Sequence, residues 1–234
     1  MLAIRVLVCA LFASPMIASA QSLQDVRNEL QSGFDKLKSF SARRIEKSNV
    51  SYGEMSQLME RTGTWEWMRG AKNDLLRIEL QGGFKTRMSA AIEQKGPIRS
   101  LEVWDEKYHY QFEDRAGVKR AGKEDLVHQA RQQVTDFGVF SDDGAKLLPP
   151  DKFDGADVVV VETPQLASAP TAVKVRRLFR KDCGLRVRMV ALDAEGKEIA
   201  LHELRDIKLN AEVAPDRFEF QAPEGVKVTD TSTP

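Results

Sequence analysis

The chain has 234 residues and carries 35 basic and 35 acidic side chains, for a formal net charge of zero. That balance supplies no basic field for nucleic acid or for an anionic membrane surface. The two cysteines, Cys9 and Cys183, fall on either side of an expected processing site, so the processed chain has no intramolecular disulfide.

The first residues read as a secretory signal. Arg5 gives a short basic region, Val6 to Ile17 is an apolar run too short to span a bilayer, and Ala18-Ser19-Ala20 is a small-residue cleavage site. Cleavage after Ala20 is expected, leaving 21–234 as a single domain. Val6-Leu7-Val8 before Cys9 lacks the small residue of a lipoprotein signal, so no lipid anchor is expected. An exported protein in the periplasm is implied. No later stretch is apolar for long enough to cross a membrane as a helix.

Ser22 to Lys38 reads as a helix with Val26, Leu30, Phe34 and Leu37 in one stripe, Ser22 as cap and Asp25 in the first turn. Ser39 to Lys47 reads as a strand and Ser48 to Glu60 as a polar loop. Gly63 to Arg69 is the most informative strand. Its alternation puts Trp65 and Trp67 on one face, and Arg69 closes that face with a fixed charge. Leu76, Ile78 and Leu80 alternate next; Gly82-Gly83 suggests a reversal; Met88, Ala90 and Ile92 alternate; and Gly96-Pro97 suggests another turn. Leu101 and Val103 lead to Tyr108, Tyr110 and Phe112, a second aromatic wall.

Lys123 to Phe137 has a helical period through Leu126, Ala130, Val134 and Phe137, and Phe140 to Asp154 reads as a long polar rim. Val158 to Val161 suggests a central strand covered on both faces. A loop from Gln165 to Thr171 follows, then strands through Val173 to Phe179, Leu185 to Met189 and Ile199 to Leu209, with a bulge near His202 to Leu204. Phe218 and Phe220 read as a last short strand. About eleven or twelve strands and two helices make an α+β arrangement.

Catalytic patterns do not emerge. His109, His128 and His202 lie on different elements, and the nucleophile, zinc and phosphate-loop motifs are missing, so no cofactor, metal or enzymatic activity is expected. His109 is expected on a solvated strand face, and Cys183 in a turn at Lys181–Gly184. The basic residues Lys174, Arg176, Arg177, Arg180, Arg186 and Arg188 read as a solvated hairpin face or a partner-docking site.

Three segments together resemble the periplasmic outer-membrane lipoprotein carrier family, LolA-like with LolB-like relatives. They are Leu37-Lys38-Ser39-Phe40-Ser41-Ala42, Gly63-Thr64-Trp65-Glu66-Trp67-Met68-Arg69, and the ending Asp216 to Val228 with Phe218, Phe220, Pro223, Gly225 and Val226. The resemblance implies a half-open antiparallel β-barrel of about 11 strands with helices covering its concave face. It implies a carrier that shelters the acyl chains of a lipoprotein or lipid and passes them from an inner-membrane donor to an outer-membrane acceptor. A monomer is expected. The implied acyl-facing set is Trp65, Trp67, Arg69, Leu76, Ile78, Met88, Tyr108, Tyr110, Phe112 and Phe34, with Arg69 in the place of the arginine that accepts and hands over cargo. The alternative is an envelope lipid or lipoprotein sensor of the same fold acting through a protein partner. Gly70 replaces the proline that commonly follows the family's arginine.

Overall fold

A computed structural model describes residues 22–89, 91–125, 129–164 and 172–232. The expected signal segment, the Gln165–Thr171 loop, Ala90, Leu126 and His128 lie outside the described residues.

Helix α1 spans Leu23–Phe34. Ser22 and Asp25 form a reciprocal capping box, satisfying backbone donors that the first turn would otherwise leave free. Its buried residues are Val26, Leu30 and Phe34, the expected stripe.

Six strands then meander as three hairpins: β1 Ser39–Tyr52, β2 Met55–Met68, β3 Leu75–Arg87, β4 Glu93–Trp104, β5 His109–Arg115 and β6 Val118–Glu124. A short helix α2, Ala130–Thr135, runs into a 3-10 turn at Phe137–Ser141. Five strands follow: β7 Lys146–Phe153, β8 Ala156–Pro164, β9 Lys174–Arg180, β10 Arg186–Leu192 and β11 Glu198–Leu209. A 3-10 turn at Pro215–Phe218 and a short strand β12, Val228–Asp230, close the described chain.

The twelve strands form one sheet in the order β12-β6-β5-β4-β3-β2-β1-β11-β10-β9-β8-β7. Every pairing is antiparallel except β12 on β6. Strands β12 and β7 end the sheet and do not pair with each other, so it is open rather than a closed barrel. It is also curved. Ring contacts run from Trp67 on β2 to Phe34 at 4.9 Å, on to Phe137 at 6.2 Å, and to Phe179 on β9 at a further 6.2 Å. Strands β2 and β9 are four steps apart, about 19 Å along a flat sheet. Strands β11 and β7 are also four steps apart, yet the Arg205 guanidinium lies 4.3 Å from the Phe153 ring, which only a curved sheet allows, and the main apolar cluster fills the hollow from Ile78 to Val161.

Several turn and loop expectations are corrected. Ser48 to Glu60 is not a loop but the far half of a 14-residue hairpin, turned at Gly53-Glu54. Gly82-Gly83 and Gly96-Pro97 lie inside β3 and β4. A Cβ on Gly82 would stand 1.9 Å from the Glu60 carbonyl oxygen, so this glycine permits close strand approach rather than a turn. The reversal is instead at Met88–Ile92, where the Met88 N–H donates to the Ile92 carbonyl. Residues Lys123 and Glu124 end β6, and the second helix has only 6 residues. The expected rim at Phe140 to Asp154 contains edge strand β7, which tolerates Pro149 and Pro150 through a register irregularity between Leu148 and Asp151. The valine run is buried on both faces, yet β8 is one strand from the edge and not central. The β11 irregularity comes at Asp206, with φ 55°, just past the expected place. Phe218 ends a 3-10 turn rather than lying in a strand.

Candidate functional site

Strand alternation places Trp65 and Trp67 on the inner face of the sheet. Across the ladders they meet Ala42 and Phe40 on β1 and Ile78 and Leu76 on β3, with Trp104 opposite Leu76 on β4. All seven are buried, Trp67 completely. Phe40 stacks on Trp67 with ring centres 6.0 Å apart. Phe34 of α1 also packs on that indole, with ring centres 4.9 Å apart. The aromatic bed is therefore filled by the protein's own helix.

Arg69 follows β2 and turns back under the C-terminal turn of α1. Its guanidinium donates to the carbonyls of Phe34 at 2.9 Å and Leu37 at 3.1 Å, and lies 5.7 Å from the Phe34 ring and 5.6 Å from the Trp67 ring. The last carbonyls of a helix have no intrahelical donors and carry its negative dipole end, so a cation fits there. Burial pushes the neighbouring Asp74 carboxyl up, against the pull of Arg131 and Arg69. Two further contacts tie α1 to the segment after β6: Arg131 pairs with Asp35, and Arg27 donates to Ser141 Oγ at 3.1 Å.

Beyond the bed the inner face becomes charged. Arg44 covers Trp65 at 4.4 Å and pairs with Glu46. Glu46 also accepts from Arg61 Nη2 at 2.5 Å, and Arg61 Nη1 reaches Ser100 Oγ at 3.0 Å. Burial alone would raise the Glu46 carboxyl, but Arg44 and Arg61 outweigh it and hold the group below its ordinary value. Burial and the Arg44 charge push His202 down to about 4, so its imidazole is neutral at physiological pH. A cavity of about 270 Å³ adjoins this network, lined by Arg61, Ser100, Glu102, His109, Gln111 and Glu124 among others. The expectation of a solvated His109 is corrected: it is 4% exposed, stacks on Trp104 at 3.7 Å and bonds Glu124 at 2.9 Å.

The second aromatic wall does not join the first. Tyr110 pairs with Val103 and Phe112 with Leu101, on the opposite side of the sheet from Trp104 and Glu102. They form a separate cluster, and Phe220 stacks on Tyr110 at 4.9 Å and 5°. Tyr108 lies beside Tyr110, with Lys123 Nζ 4.5 Å from its ring centre. Met88 sits in the β3–β4 turn, exposed. So the structure brings together Phe34, Trp65, Trp67, Arg69, Leu76 and Ile78, and separates Met88, Tyr108, Tyr110 and Phe112 from them.

The solvated basic face holds for Lys174 and Arg176, which are exposed, and is corrected for Arg177 and Arg186. Arg177 is 3% exposed and donates to Asp136 at 2.7 Å and Thr163 at 2.8 Å; Arg186 donates to the same Asp136 oxygen at 2.8 Å. Asp136 is the left-handed residue between α2 and the following 3-10 turn, so these arginines anchor that segment to the sheet. Cys183 is buried and its thiol is pushed up to about 12, chiefly by burial, which leaves it unreactive near neutral pH. Sequence reasoning missed Trp104, whose alternation is masked by Glu102, and the Arg44-Glu46 pair. The latter continues the Phe40-Ala42 parity and was legible there as charge on an inward face.

No protein-family model matches the sequence, and no curated protein matches it. Similar solved structures include an uncharacterized conserved protein from Thermus thermophilus, 12% identical, covering 88% of this chain and 98% of that one at a TM-score of 0.48. MucB is 13% identical over 86% of this chain and 63% of its own, with a TM-score of 0.43. A LolA superfamily protein from Nitrosomonas europaea is 10% identical, with coverage of 86% and 99% and a TM-score of 0.30.

Proposed function

We propose that this protein is a non-catalytic carrier of the bacterial envelope that shelters the acyl chains of a lipid or lipoprotein and passes them toward the outer membrane. The observation that carries this reading is the cover on the aromatic bed. An open sheet presents Trp65, Trp67, Leu76, Ile78 and Trp104, and one helix fills the bed with Phe34. The helix is a removable lid, and Arg69 is the latch at its C-terminal end.

The magnitudes permit exchange. Val26, Leu30 and Phe34 hold α1 down with roughly 5–8 kcal/mol of apolar burial, an upper estimate. A palmitoyl chain of about 15 methylenes gains ~12 kcal/mol on leaving water. On apolar transfer alone a guest chain outweighs the three side chains it would replace, before the roughly 4–15 kcal/mol cost of association is charged. The export signal expected at residues 1–20 supports a periplasmic site of action.

The test is native mass spectrometry after incubation with a dipalmitoyl lipopeptide. A one-to-one adduct is expected, weakened roughly tenfold by Trp67→Ala, about 1.4 kcal/mol. Phe34→Ala should take up more lipopeptide, because it empties the place that the guest enters. If both the wild type and Phe34→Ala stay unliganded at micromolar lipopeptide, the aromatic bed is ordinary core and the carrier reading is wrong.

A further inference from the structure

Two buried hydrogen-bond donors at the margin of the bed lack an acceptor among the described residues. Trp65 is 2% exposed and Trp104 3%, and neither indole Nε1 has a hydrogen-bond partner. The third bed indole differs, because the Asp74 carboxyl lies beside the Trp67 N–H. An indole has one donor and no acceptor. Burying that donor unpaired destabilises the folded state, so each such group calls for an explanation.

The surrounding side chains do not supply one. Across the ladders Trp65 meets Ala42 and Ile78, and Trp104 meets Leu76 and His109. Arg44 lies over the Trp65 ring at 4.4 Å and is itself only a donor. His109 stacks on Trp104 at 3.7 Å and 12°, so it covers the ring face, whereas the N–H points outward in the ring plane. Phe34, which fills the bed, brings no acceptor.

Position is a second observation. Both indoles stand where the apolar wall gives way to polar groups. The inward residues next to Trp65 along β2 are Gly63 and then Arg61, and those next to Trp104 along β4 are Glu102 and then Ser100. An amphiphile with its chains in the bed places at this boundary the linkage between chain and headgroup. We infer that Trp65 and Trp104 donate to the ester carbonyls that join the guest's acyl chains to its headgroup. This rests on the acyl-chain reading and names the linkage which that reading leaves open.

Chemistry selects the ester. Donors without acceptors call for a group that accepts and does not donate, and an ester carbonyl is one. An amide brings an N–H, for which the side chains of Phe34, Phe40, Ala42, Leu76 and Ile78 hold no acceptor. A carboxylate would carry its charge into apolar surroundings. A bare hydrocarbon leaves both indoles as they are.

The experiment is native mass spectrometry with dipalmitoylphosphatidylcholine in competition with its di-O-hexadecyl ether analogue. The headgroup is the same, and the diether replaces each carbonyl by a methylene. Apolar burial alone favours the diether, so the direction of the preference is diagnostic. The wild type should bind the diester about tenfold more tightly. Trp65→Phe with Trp104→Phe keeps the rings, removes both donors, and should bring the ratio to unity or below. Tyr110→Phe, which loses a hydroxyl on the opposite side of the sheet, should leave the ratio unchanged. If circular dichroism shows the double variant unfolded, the two single variants decide, each lowering the ratio about threefold. Equal binding of diester and diether by the wild type overturns the inference and leaves the carrier reading standing. A preference that survives removal of both donors also overturns it. If the wild type binds neither lipid, the carrier reading fails and this inference with it.

Discussion

Arg69 does two things at once with one guanidinium: it caps a helix and lies against two aromatic rings. Arg69→Gln removes the charge and is too short to reach both carbonyls. Losing two charge-assisted hydrogen bonds at a helix end should destabilise by about 1–3 kcal/mol, read as a lower urea midpoint with an unchanged slope. The variant should remain folded, since the apolar stripe of α1 is intact. His202 gives a second residue-scale expectation. Its folded value of about 4 lies below the ordinary 6.5. Between those values the unfolded chain binds more protons than the folded one, so stability rises with pH across that window and is lost on acidification. Going from pH 7 to pH 5 should cost about 2 kcal/mol through this residue. In His202→Gln the loss over that interval should shrink by about that amount; an unchanged slope would place the acid sensitivity elsewhere.

At the scale of elements, α1 is seated by backbone as much as by its stripe. Gly184, in the turn between β9 and β10, has φ +65°, and a Cβ there would stand 2.1 Å from the Leu30 carbonyl oxygen. Gly184→Ala should therefore lift α1 and cost more than about 2 kcal/mol, through both the left-handed backbone and the clash. Thermal unfolding measures it, and a shift under about 2 °C would mean that α1 is not seated there. Much at this scale was legible in the sequence. The α1 stripe, the Ser22 cap, the alternation around Trp65 and the Leu76 strand are local patterns, and the structure repeats them. What misled was glycine and polarity. Gly82 marks close strand approach and Gly96 lies within β4 against Ala116, neither being a turn, and the Ser48–Glu60 strand is polar because the outer part of the first hairpin lies beyond the main apolar cluster. Which face each aromatic occupied was not legible, because it depends on the register between β4 and β5. That pairing sends Tyr110 and Phe112 away from Trp67.

For the molecule as a whole, the inner face is graded. It runs from the filled aromatic bed through the Arg44-Glu46-Arg61 network to hairpin ends where Met55, Leu58, Met88 and Ile92 are exposed. Alternation alone told of a sheet with one apolar side; the gradient required knowing which residues of distant strands share a level. An open sheet also has two ends that another chain could copy. Here one end is β7, with Pro149 and Pro150 lacking N–H donors and a break in register, and the other is a parallel strand of three residues. Neither offers a run of free backbone donors long enough to template a foreign strand. A protein built around an unclosed hollow is in this way kept from fibril growth, so crowding at high concentration should drive it to amorphous precipitate before it drives cross-β assembly.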